Sequence, residues 1–343
     1  MARRDIIVIG ASAGGVEPLR TIMSDLRPDL PASVFVVLHL AHDRPSSLAE
    51  LLDRAGPLTA LPAQDGTKIE QGKIYVAVPD HHLLLENGRM RVTHGPQENR
   101  HRPAIDVLFR SAAKSYGSRV IGVVLSGSLD DGTAGLVAIK IRGGLAIIQD
   151  PTEAFTADMP RNAARYIEVD SVCRARGIGG LLNDLVSQRV DPEQGAPPSP
   201  EMVEESRIAA LIPTETDDSE KPGVPSSIAC PDCHGVLWEI QEGDLLRWRC
   251  RTGHAYSPET LISAENESVD KALWEAIRIL EERAALRRRL VGQARERHLP
   301  TLEKHFKQAV SETEGTIETL RALLAQHVEA PRAGQGEVDE PSG

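Results

Sequence analysis

The chain has 343 residues, and 50 acidic against 39 basic side chains give it a formal net charge of -11. This acidic balance argues against coating nucleic acid or binding an anionic membrane, because both roles need clustered positive charge. The length predicts about two domains. The N-terminal apolar run, Ile6 to Ile9, is too short for a signal peptide or a membrane span, so we expect a cytoplasmic protein without membrane insertion.

Short β-branched segments alternate with helix-length segments from Asp5 to about Val190. The expected strands are DIIVIG, ASVFVVLHL, KIYVAV, RVIGVVLSG and GLAIIQD. The expected helices are GGVEPLRTIMSDL, SSLAELLDRAG, PAIDVLFRSAAKSYG and DGTAGLVAIKIRG. This alternation predicts an α/β fold with a doubly wound, mainly parallel sheet that is buried on both faces. In HHLLLENGRMRVTHG, the turn at Glu86-Asn87-Gly88 predicts a β-hairpin added to that sheet.

Changes in composition divide the chain into an α/β domain at 1–190 and four further segments. Residues 191–227 are rich in Pro, Ser, Glu and Asp and predict a disordered acidic linker. A small cysteine-containing module is expected at 228–258, two helices at 259–328, and a disordered tail at 329–343. Each of the two helices has one apolar stripe, which is typical of an antiparallel helical hairpin. A homodimer interface or a partner-docking surface is the alternative.

A glycine-rich turn, residues 10–15 with the sequence GASAGG, joins the first strand to the first helix, where open parallel sheets bind ligands. A dinucleotide-binding loop would need glycine in place of Ser12 and an acidic residue in place of His39 at the end of the second strand. The same turn matches G-x-S-x-G, which holds a serine hydroxyl clear of the sheet beside helix-terminal N–H groups. A simple helix cap is the ordinary alternative.

Partners for a serine nucleophile lie at other strand ends. Such a serine needs a base that takes its proton and a carboxylate that orients the base. His39 ends the second strand, and Asp130 and Asp131 follow a later strand, so three strands bring these side chains to one sheet edge. An exposed histidine and turn-forming aspartates are the ordinary alternatives. The coincidence favours a triad.

Six ordered segments are similar to the catalytic domain of the chemotaxis protein-glutamate methylesterases, the CheB family, over roughly residues 5–185. They are VIGASAGGVEPL, VVLHLA, IYVAVPDHHLLL, NRHRPAIDVLF, VIGVVLSGSLDDGTAGL and MPRNAA. The resemblance implies hydrolysis of γ-glutamyl methyl esters on chemoreceptors, with methanol release, and deamidation of some receptor glutamines. It implies no cofactor for catalysis. It assigns the nucleophile to Ser12, the general base to His39 and the orienting carboxylate to Asp131, with Asp130 ranked below it, and it places the oxyanion donors and their surroundings at Ala13, Gly14 and Ser128.

The sequence departs from the family pattern at several places. Ala13 stands where the family has threonine, and Ser126-Gly127-Ser128-Leu129 replaces Thr-Gly-Met-Gly. The typical family member also has an N-terminal receiver domain, whereas the catalytic strands start here at residue 5, so we expect a separate response regulator or histidine kinase as a partner. These departures leave a second hypothesis open, a signalling adaptor that binds receptor helices with little turnover. The basic segment starting at Arg100 and including Arg102 predicts docking of an acidic receptor helix, with an exposed helix start as the alternative.

The small module contains Cys230 and Cys233 in a C-x2-C pattern and Cys250 and His254 in a C-x3-H pattern. Three thiolates and an imidazole suffice for a closed tetrahedral zinc site. The segments VLWEI and LLRWR between them predict a hairpin, so the module resembles a zinc ribbon. A structural zinc is the main hypothesis, since a module of about 30 residues has too little core to fold alone. The alternatives are a module without metal and a catalytic metal, and Cys173 is expected to be an ordinary buried thiol.

Overall fold

The computed structural model describes residues 2–40, 46–192, 194–212 and 223–329. Its strands are β1 Ala2–Arg3, β2 Ile6–Ala11, β3 Ser33–Leu38, β4 Thr59–Pro62, β5 Lys73–Val76, β6 His82–Glu86, β7 Arg89–Thr93, β8 Val120–Val124, β9 Leu145–Gln149, β10 Ser171–Cys173, β11 Arg189–Val190, β12 Val224–Ala229, β13 Val236–Glu242, β14 Leu245–Cys250 and β15 Ala255–Tyr256. Its helices are α1 Val16–Asp25, α2 Leu48–Asp53, α3 Ile105–Tyr116, α4 Thr133–Ile141, α5 Asp158–Tyr166, α6 Ala175–Leu185, α7 Pro200–Ala209, α8 Pro258–Glu296 and α9 Pro300–Glu329. Two compact units make up the chain, Met1–Leu261 and Ile262–Gly343. None of the helices described is both long and apolar enough to cross a membrane.

A seven-stranded sheet with the order β10-β9-β8-β2-β3-β5-β4 forms the centre of the first unit, and its neighbouring strands pair in parallel. Successive side chains of a strand point to opposite faces. Ile7 and Ile9 of β2 therefore join one core cluster with residues of α1, α2 and α6, whereas Ile6 and Val8 join another with residues of α3, α4 and α5. Helices on both faces confirm the predicted doubly wound α/β fold.

The β6–β7 hairpin forms a two-stranded antiparallel sheet of its own. The prediction that it extends the central sheet is therefore wrong. Leu83, Leu85 and Met90 of this hairpin are buried in the core cluster that contains α3, and Leu85 N donates a hydrogen bond to Ser111 Oγ of that helix at 3.1 Å. Packing against α3 takes the place of pairing with an edge strand.

Helix α7 lies inside the segment 191–227, so over these residues the structure differs from the predicted disordered linker. Ser199 caps the helix by accepting a hydrogen bond from Met202 N at 3.1 Å, and Pro200 occupies the first turn. Met202 and Ala209 are buried against the rest of the first unit. Residues 213–222 of the predicted linker and 330–343 of the predicted tail lie outside the described residues.

The cysteine-containing module is a four-stranded antiparallel sheet, β12-β13-β14-β15, within the first unit. The predicted hairpin corresponds to β13 and β14, which pair up to Glu242 and Leu245 beside the turn. The expected β structure of this module is therefore present.

The second unit contains the part of α8 from Ile262 onward and α9. Ile277, Ile317 and Leu324 are buried between the two helices. Ion pairs join Glu281 to Arg321 at 2.5 Å and Arg288 to Glu314 at 2.7 Å. Because the pairing moves backward along α9 as it moves forward along α8, the helices are antiparallel, which confirms the predicted hairpin.

Candidate active site

The carboxyl ends of β2, β3 and β8 meet at a switch point of the sheet. The chain passes from β2 to β3 on one side, and β8 later pairs with the other side of β2. Connections that leave in opposite directions open a crevice, and open α/β sheets bind their ligands there. Ser12 follows β2, His39 follows β3, and Asp131 lies between β8 and α4.

The turn around Ser12 is held by backbone hydrogen bonds. Ser12 N donates to Ser126 O at 2.9 Å, and Gly15 N donates to Ser12 O at 3.0 Å. Gly14 has a φ of 74°, in the left-handed region that favours glycine. A Cβ atom on Gly127 would lie 2.8 Å from the Cβ of Ser12, so glycine at that position leaves room for the serine side chain.

The His39 ring is oriented by Asp131. The His39 Nε2 atom lies 2.8 Å from Asp131 Oδ2, and the two side chains are 5% and 2% exposed. The other ring nitrogen of His39, Nδ1, is buried and has no hydrogen-bond partner among the described residues. A ring that donates its Nε2–H to the carboxylate keeps a lone pair on Nδ1. His39 N donates to Ala11 O at 3.1 Å, which holds the start of this side chain beside the Ser12 turn.

Asp131 is buried but remains ionised. Burial opposes the charge, yet the hydrogen bond from His39 and the electrostatic interactions with His39 and His101 hold the pKa of Asp131 well below its usual range. Further donors to the carboxylate are Ile105 N at 2.7 Å, Gly132 N at 3.0 Å, Asp106 N at 3.1 Å and Asn99 Nδ2 at 2.9 Å. The negative charge is therefore fixed in position and direction.

Asp106 is a second buried carboxyl group beside Asp131. Burial, and then the charge of Asp131, raise the pKa of Asp106 well above its usual range. Its Oδ1 accepts hydrogen bonds from Gly135 N at 2.6 Å and Gly132 N at 3.0 Å, and its Oδ2 accepts one from Asn99 Nδ2 at 2.7 Å. We assign the charge of this pair to Asp131 and the proton to Asp106.

This geometry can be compared with that of known proteins. Residues 7–182 match the protein family described as CheB methylesterase. The chain belongs to the CheB methylesterase family. A Leptospira interrogans protein named "Putative protein-glutamate methylesterase/protein-glutamine glutaminase" is 36% identical over 179 residues, which cover 52% of this chain and 93% of that protein. A Yersinia pestis protein-glutamate methylesterase/protein-glutamine glutaminase is 36% identical over 191 residues, or 54% of each chain. The catalytic domain of Thermotoga maritima CheB methylesterase superposes with a TM-score of 0.52 at 34% identity, covering 54% of this chain and all of that domain.

The residues predicted to stabilise an oxyanion lie around the Ser12 turn. Ser12 N and Gly127 N already donate to backbone oxygens, those of Ser126 and Thr156. Ala13 and Ser128, the residues after these two donors, are exposed. The backbone N–H groups of Ala13 and Ser128, beside the left-handed turn at Gly14, therefore remain the predicted donors to the oxyanion.

An exposed aromatic side chain lies against the same turn. Phe155 is 84% exposed, and a Cβ atom on Gly14 would lie 2.4 Å from the Cβ of Phe155. Single exposed apolar residues are common on protein surfaces. Phe155 lies beside the proposed nucleophile, so a protein bound at this site would contact it.

The two arginines predicted to dock a substrate differ in their surroundings. The Arg102 guanidinium donates hydrogen bonds to Asp80 Oδ1 at 2.7 and 2.9 Å and to Gly95 O at 2.9 Å. These contacts tie the guanidinium into the fold, so they do not support a docking role for Arg102. Arg100 is half-buried, with a φ of 64°, and its docking role stays a prediction.

Sequence reasoning missed Asn99, His101 and Asp106, which surround Asp131. All three lie in the NRHRPAID segment, where only the arginines were singled out. The signal was present in principle, because an Asn, a His and an Asp stand close together just ahead of the apolar residues of α3. Two of them, Asn99 and Asp106, are buried polar groups, and buried polar groups need partners.

A cluster of potential metal ligands lies outside the part of the chain that matches the CheB methylesterase family. Its members are Cys230, Cys233, Cys250 and His254, whose ligand atoms all lie within 4.8 Å of one another. Sγ of Cys233 and Sγ of Cys250 are 3.6 Å apart, and Nδ1 of His254 is 3.7 Å from Sγ of Cys230. Around a tetrahedral zinc ion with Zn–S bonds of about 2.3 Å, ligand atoms lie roughly 3.5 to 3.8 Å apart. The donor set and its spacing fit zinc.

Proposed function

We propose that this chain is a protein-glutamate methylesterase, a serine esterase that removes γ-methyl esters from glutamates of chemoreceptor-type signalling proteins. The observation that carries the proposal is the buried His39–Asp131 pair on the sheet edge where Ser12 lies. The remaining ring nitrogen of His39, Nδ1, has no hydrogen-bond partner in the part of the chain that the structure describes. Membership of the CheB methylesterase family and the names of its relatives support the same substrate.

In the first half of the reaction, Nδ1 of His39 takes the proton from Ser12 Oγ as the oxygen attacks the ester carbonyl. Backbone N–H groups around Ala13 and Ser128 stabilise the tetrahedral oxyanion. When the intermediate collapses, the C–OCH3 bond breaks, and His39 gives its proton to the departing oxygen to form methanol. Asp131 stays ionised and stabilises the imidazolium ring.

In the second half, a water molecule attacks the acyl-enzyme while His39 Nδ1 takes one of its protons. The bond to Ser12 Oγ then breaks, His39 returns the proton to the serine, and the substrate glutamate leaves as a carboxylic acid, which releases its proton to solvent. A glutamine side chain can follow the same path with ammonia in place of methanol. We therefore propose protein-glutamine deamidation as a second reaction of this site, in line with the glutaminase named in the relatives.

The test is methanol release from membranes that contain methylated chemoreceptors, measured with the purified full chain. Ser12→Ala should abolish release above background, and it should also abolish labelling by a fluorophosphonate probe. Ser24→Ala is the matched control, since Ser24 is an exposed serine of α1 whose hydroxyl donates to Thr21 O of the same helix; it should keep wild-type rates. Equal methanol release by wild type and Ser12→Ala would refute the proposal.

The second candidate is an adaptor that binds receptor helices with little turnover. The observation that favours it is the altered turn sequence, Ala13 and Ser128-Leu129, next to the proposed nucleophile. If the chain is an adaptor, the wild-type protein should sediment with receptor membranes but should neither release methanol nor react with the serine probe.

We further propose a structural zinc ion held by Cys230, Cys233, Cys250 and His254 in a zinc-ribbon-like module. Cys230 and Cys233, between β12 and β13, and Cys250 and His254, from the end of β14 to the start of β15, would hold the ion. Bound zinc would crosslink these two turns, and four protein ligands would leave no open position for catalysis. The proposed location is the cytoplasm, and the proposed partners are a methylated chemoreceptor and a separate response regulator or histidine kinase. Homodimerisation through α8 and α9 also stays a proposal.

A further inference from the structure

Asn99 connects the two buried carboxyl groups of the candidate site. Its Nδ2 group donates hydrogen bonds to Asp131 Oδ1 at 2.9 Å and to Asp106 Oδ2 at 2.7 Å. The Asn99 side chain is buried, so water does not compete for these bonds. Since Asp131 Oδ2 accepts from His39, the bond from Asn99 to Oδ1 helps to fix the rotation of the carboxylate that orients the His39 ring.

The orientation of the Asn99 amide is set by residues that follow the metal ligands. Asn99 Oδ1 accepts hydrogen bonds from both Ser257 N and Ser257 Oγ, each at 2.8 Å. Asn99 N donates to Ala255 O at 2.7 Å. A flipped amide would place its NH2 group against the Ser257 N–H and its oxygen against two carboxyl groups, which is unfavourable. Ser257 therefore fixes which end of the amide faces Asp131.

A buried ionic cluster ties the same module to the residue before Asn99. Glu98 accepts a hydrogen bond from Arg249 at 2.8 Å and hydrogen bonds from Arg110 at 2.7 Å. Arg249, which directly precedes the ligand Cys250, also contacts Glu205 of α7 at 2.8 Å. Removing one partner of a buried ion pair is strongly destabilising. These ion pairs therefore hold β14 firmly against the segment that contains Asn99.

The start of α8 makes a third connection, to the residue next to Asp131. Asp130 Oδ2 accepts a hydrogen bond from Glu259 N at 2.9 Å, and Asp130 Oδ1 accepts one from Thr260 Oγ1 at 2.6 Å. Residues 255–260 thus contact both Asn99 and Asp130, and they begin directly after the ligand His254. Each of these contacts lies within the first compact unit.

We propose that Asn99 is a positioning residue for Asp131, and that the cysteine-containing module holds Asn99 in its working orientation through Ser257. The inference rests on the proposed function and on the proposed zinc ligands. It makes the module an integral part of the active-site framework. Loss of zinc would then loosen residues 255–257 and, through Asn99, the His39–Asp131 pair.

The sharpest variant is Asn99→Asp. Aspartate has the same shape, tolerates the left-handed φ of 50° at this position, and keeps an acceptor for Ser257. It has at most one proton to donate, whereas the amide NH2 group has two, so it cannot donate to both Asp131 and Asp106. We expect kcat for methanol release to fall by roughly 10- to 100-fold, with KM within about twofold of wild type.

Ser257→Ala is the second variant, because it removes only the hydroxyl that orients Asn99 Oδ1. We expect a fall in kcat of about three- to tenfold with an unchanged KM, and recovery in Ser257→Thr, which restores the hydroxyl. Ser226→Ala is the matched control: Ser226 lies in β12 of the same module and its hydroxyl bonds to Ile228 N. It should behave as wild type.

A spectroscopic readout tests the connection without turnover. In the full chain labelled with 15N-histidine, the far-downfield proton of His39 Nε2–H reports its bond to Asp131. This resonance should shift or broaden in Ser257→Ala, and after a chelator removes zinc, and it should return when Zn²⁺ alone is added back. The Ser226→Ala spectrum should match that of the wild type.

The outcomes separate the two proposals. Ser12→Ala retaining full activity would refute the proposed esterase, while the proton resonance would still test whether the module positions His39 and Asp131. Wild-type kcat and a wild-type His39 resonance in both Asn99→Asp and Ser257→Ala would overturn the inference. If Asn99→Asp does not fold, as judged by circular dichroism, Ser257→Ala and zinc removal decide it: an unchanged resonance in both overturns it.

Discussion

The imidazole rings of His39 and His101 stack, with their centroids 3.5 Å apart and their planes inclined by 13°. The bond from His39 Nε2 to Asp131 fixes one end of the ring, and the stack restrains rotation about that bond. Nδ1 of His39 thereby keeps the direction in which it would receive the serine proton. The second histidine therefore supports the geometry of the first.

Removing the stacked ring should impair chemistry more than binding. We expect His101→Ala to lower kcat for methanol release by roughly tenfold with little change in KM, because His39 would sample unproductive orientations. His101→Phe keeps a flat ring and should retain most of the wild-type kcat. Steady-state kinetics on methylated receptor membranes gives both values, and equal losses in the two variants would contradict a role based on stacking.

Phe155 is the residue that we expect to distinguish a protein substrate from a small ester. It is exposed beside Gly14, where a receptor helix would approach Ser12. Phe155→Ala should raise KM for methylated receptor by roughly three- to tenfold, because burying an aromatic side chain contributes on the order of 1 to 2 kcal/mol to association. The rate of Ser12 labelling by a small fluorophosphonate should stay unchanged.

Leu61→Ala is the control for Phe155→Ala, because Leu61 is an exposed apolar residue on β4, at the edge of the sheet. It should leave both measurements at wild-type values. A Phe155→Ala enzyme with normal receptor KM would place the docking surface elsewhere.

Much of the fold could be predicted because the central strands carry their own signal. The runs that form β2 and β3 are apolar except for Ser33 at the start of β3, and they are buried on both faces, so local composition was sufficient. Helix α7 escaped prediction because its segment is rich in proline and acidic residues, and it is held by contacts with distant parts of the chain. The hairpin β6–β7 was recognised, but its place against α3 depends on tertiary packing that no local pattern encodes.

The candidate site likewise contains residues that the sequence predicts and residues whose role depends on tertiary contacts. Ser12, His39 and Asp131 could be proposed from their positions at strand ends, since parallel strands bring their carboxyl ends to one edge. The role of Asn99 could not be inferred in this way. Its partner Ser257 is 158 positions away in the sequence, and both are ordinary polar residues whose importance lies only in their contact.

Replacement of one ligand tests the zinc proposal. Cys230→Ser should lose bound zinc and lower the thermal unfolding temperature, because metal binding contributes folding free energy to a module with little core of its own. Metal analysis of the purified full chain should find about one zinc per wild-type chain. Cys173→Ser is the matched control, since Cys173 is a half-buried thiol of β10 outside the cluster; it should keep its metal. Equal zinc content in wild type and Cys230→Ser would exclude Cys230 as a ligand.

Asp130 gives the first unit a pH-dependent stability. It is buried under the start of α8, and burial raises its pKa to about 7. Hydrogen bonds from Thr260 Oγ1 and Glu259 N lower the pKa, whereas the negative charges of Asp131 and Glu259 raise it. Tyr166 also faces this group. An acid whose pKa is higher in the folded than in the unfolded chain stabilises the folded state fully below the unfolded pKa, about 4. This contribution is lost as the pH rises through about 7.

The free energy of unfolding of the wild type should therefore fall between pH 5.5 and pH 8 by an amount on the order of 2 kcal/mol more than that of Asp130→Asn. The asparagine cannot ionise, so this part of the slope disappears, although the variant is less stable at low pH because it loses one acceptor for α8. Urea unfolding followed by circular dichroism at several pH values measures the difference.

Asp150→Asn is the control, because hydrogen bonds from Thr152 lower the pKa of that carboxyl group. This variant should keep the wild-type dependence of unfolding free energy on pH. Parallel slopes for wild type and Asp130→Asn would show that Asp130 stays ionised over this range.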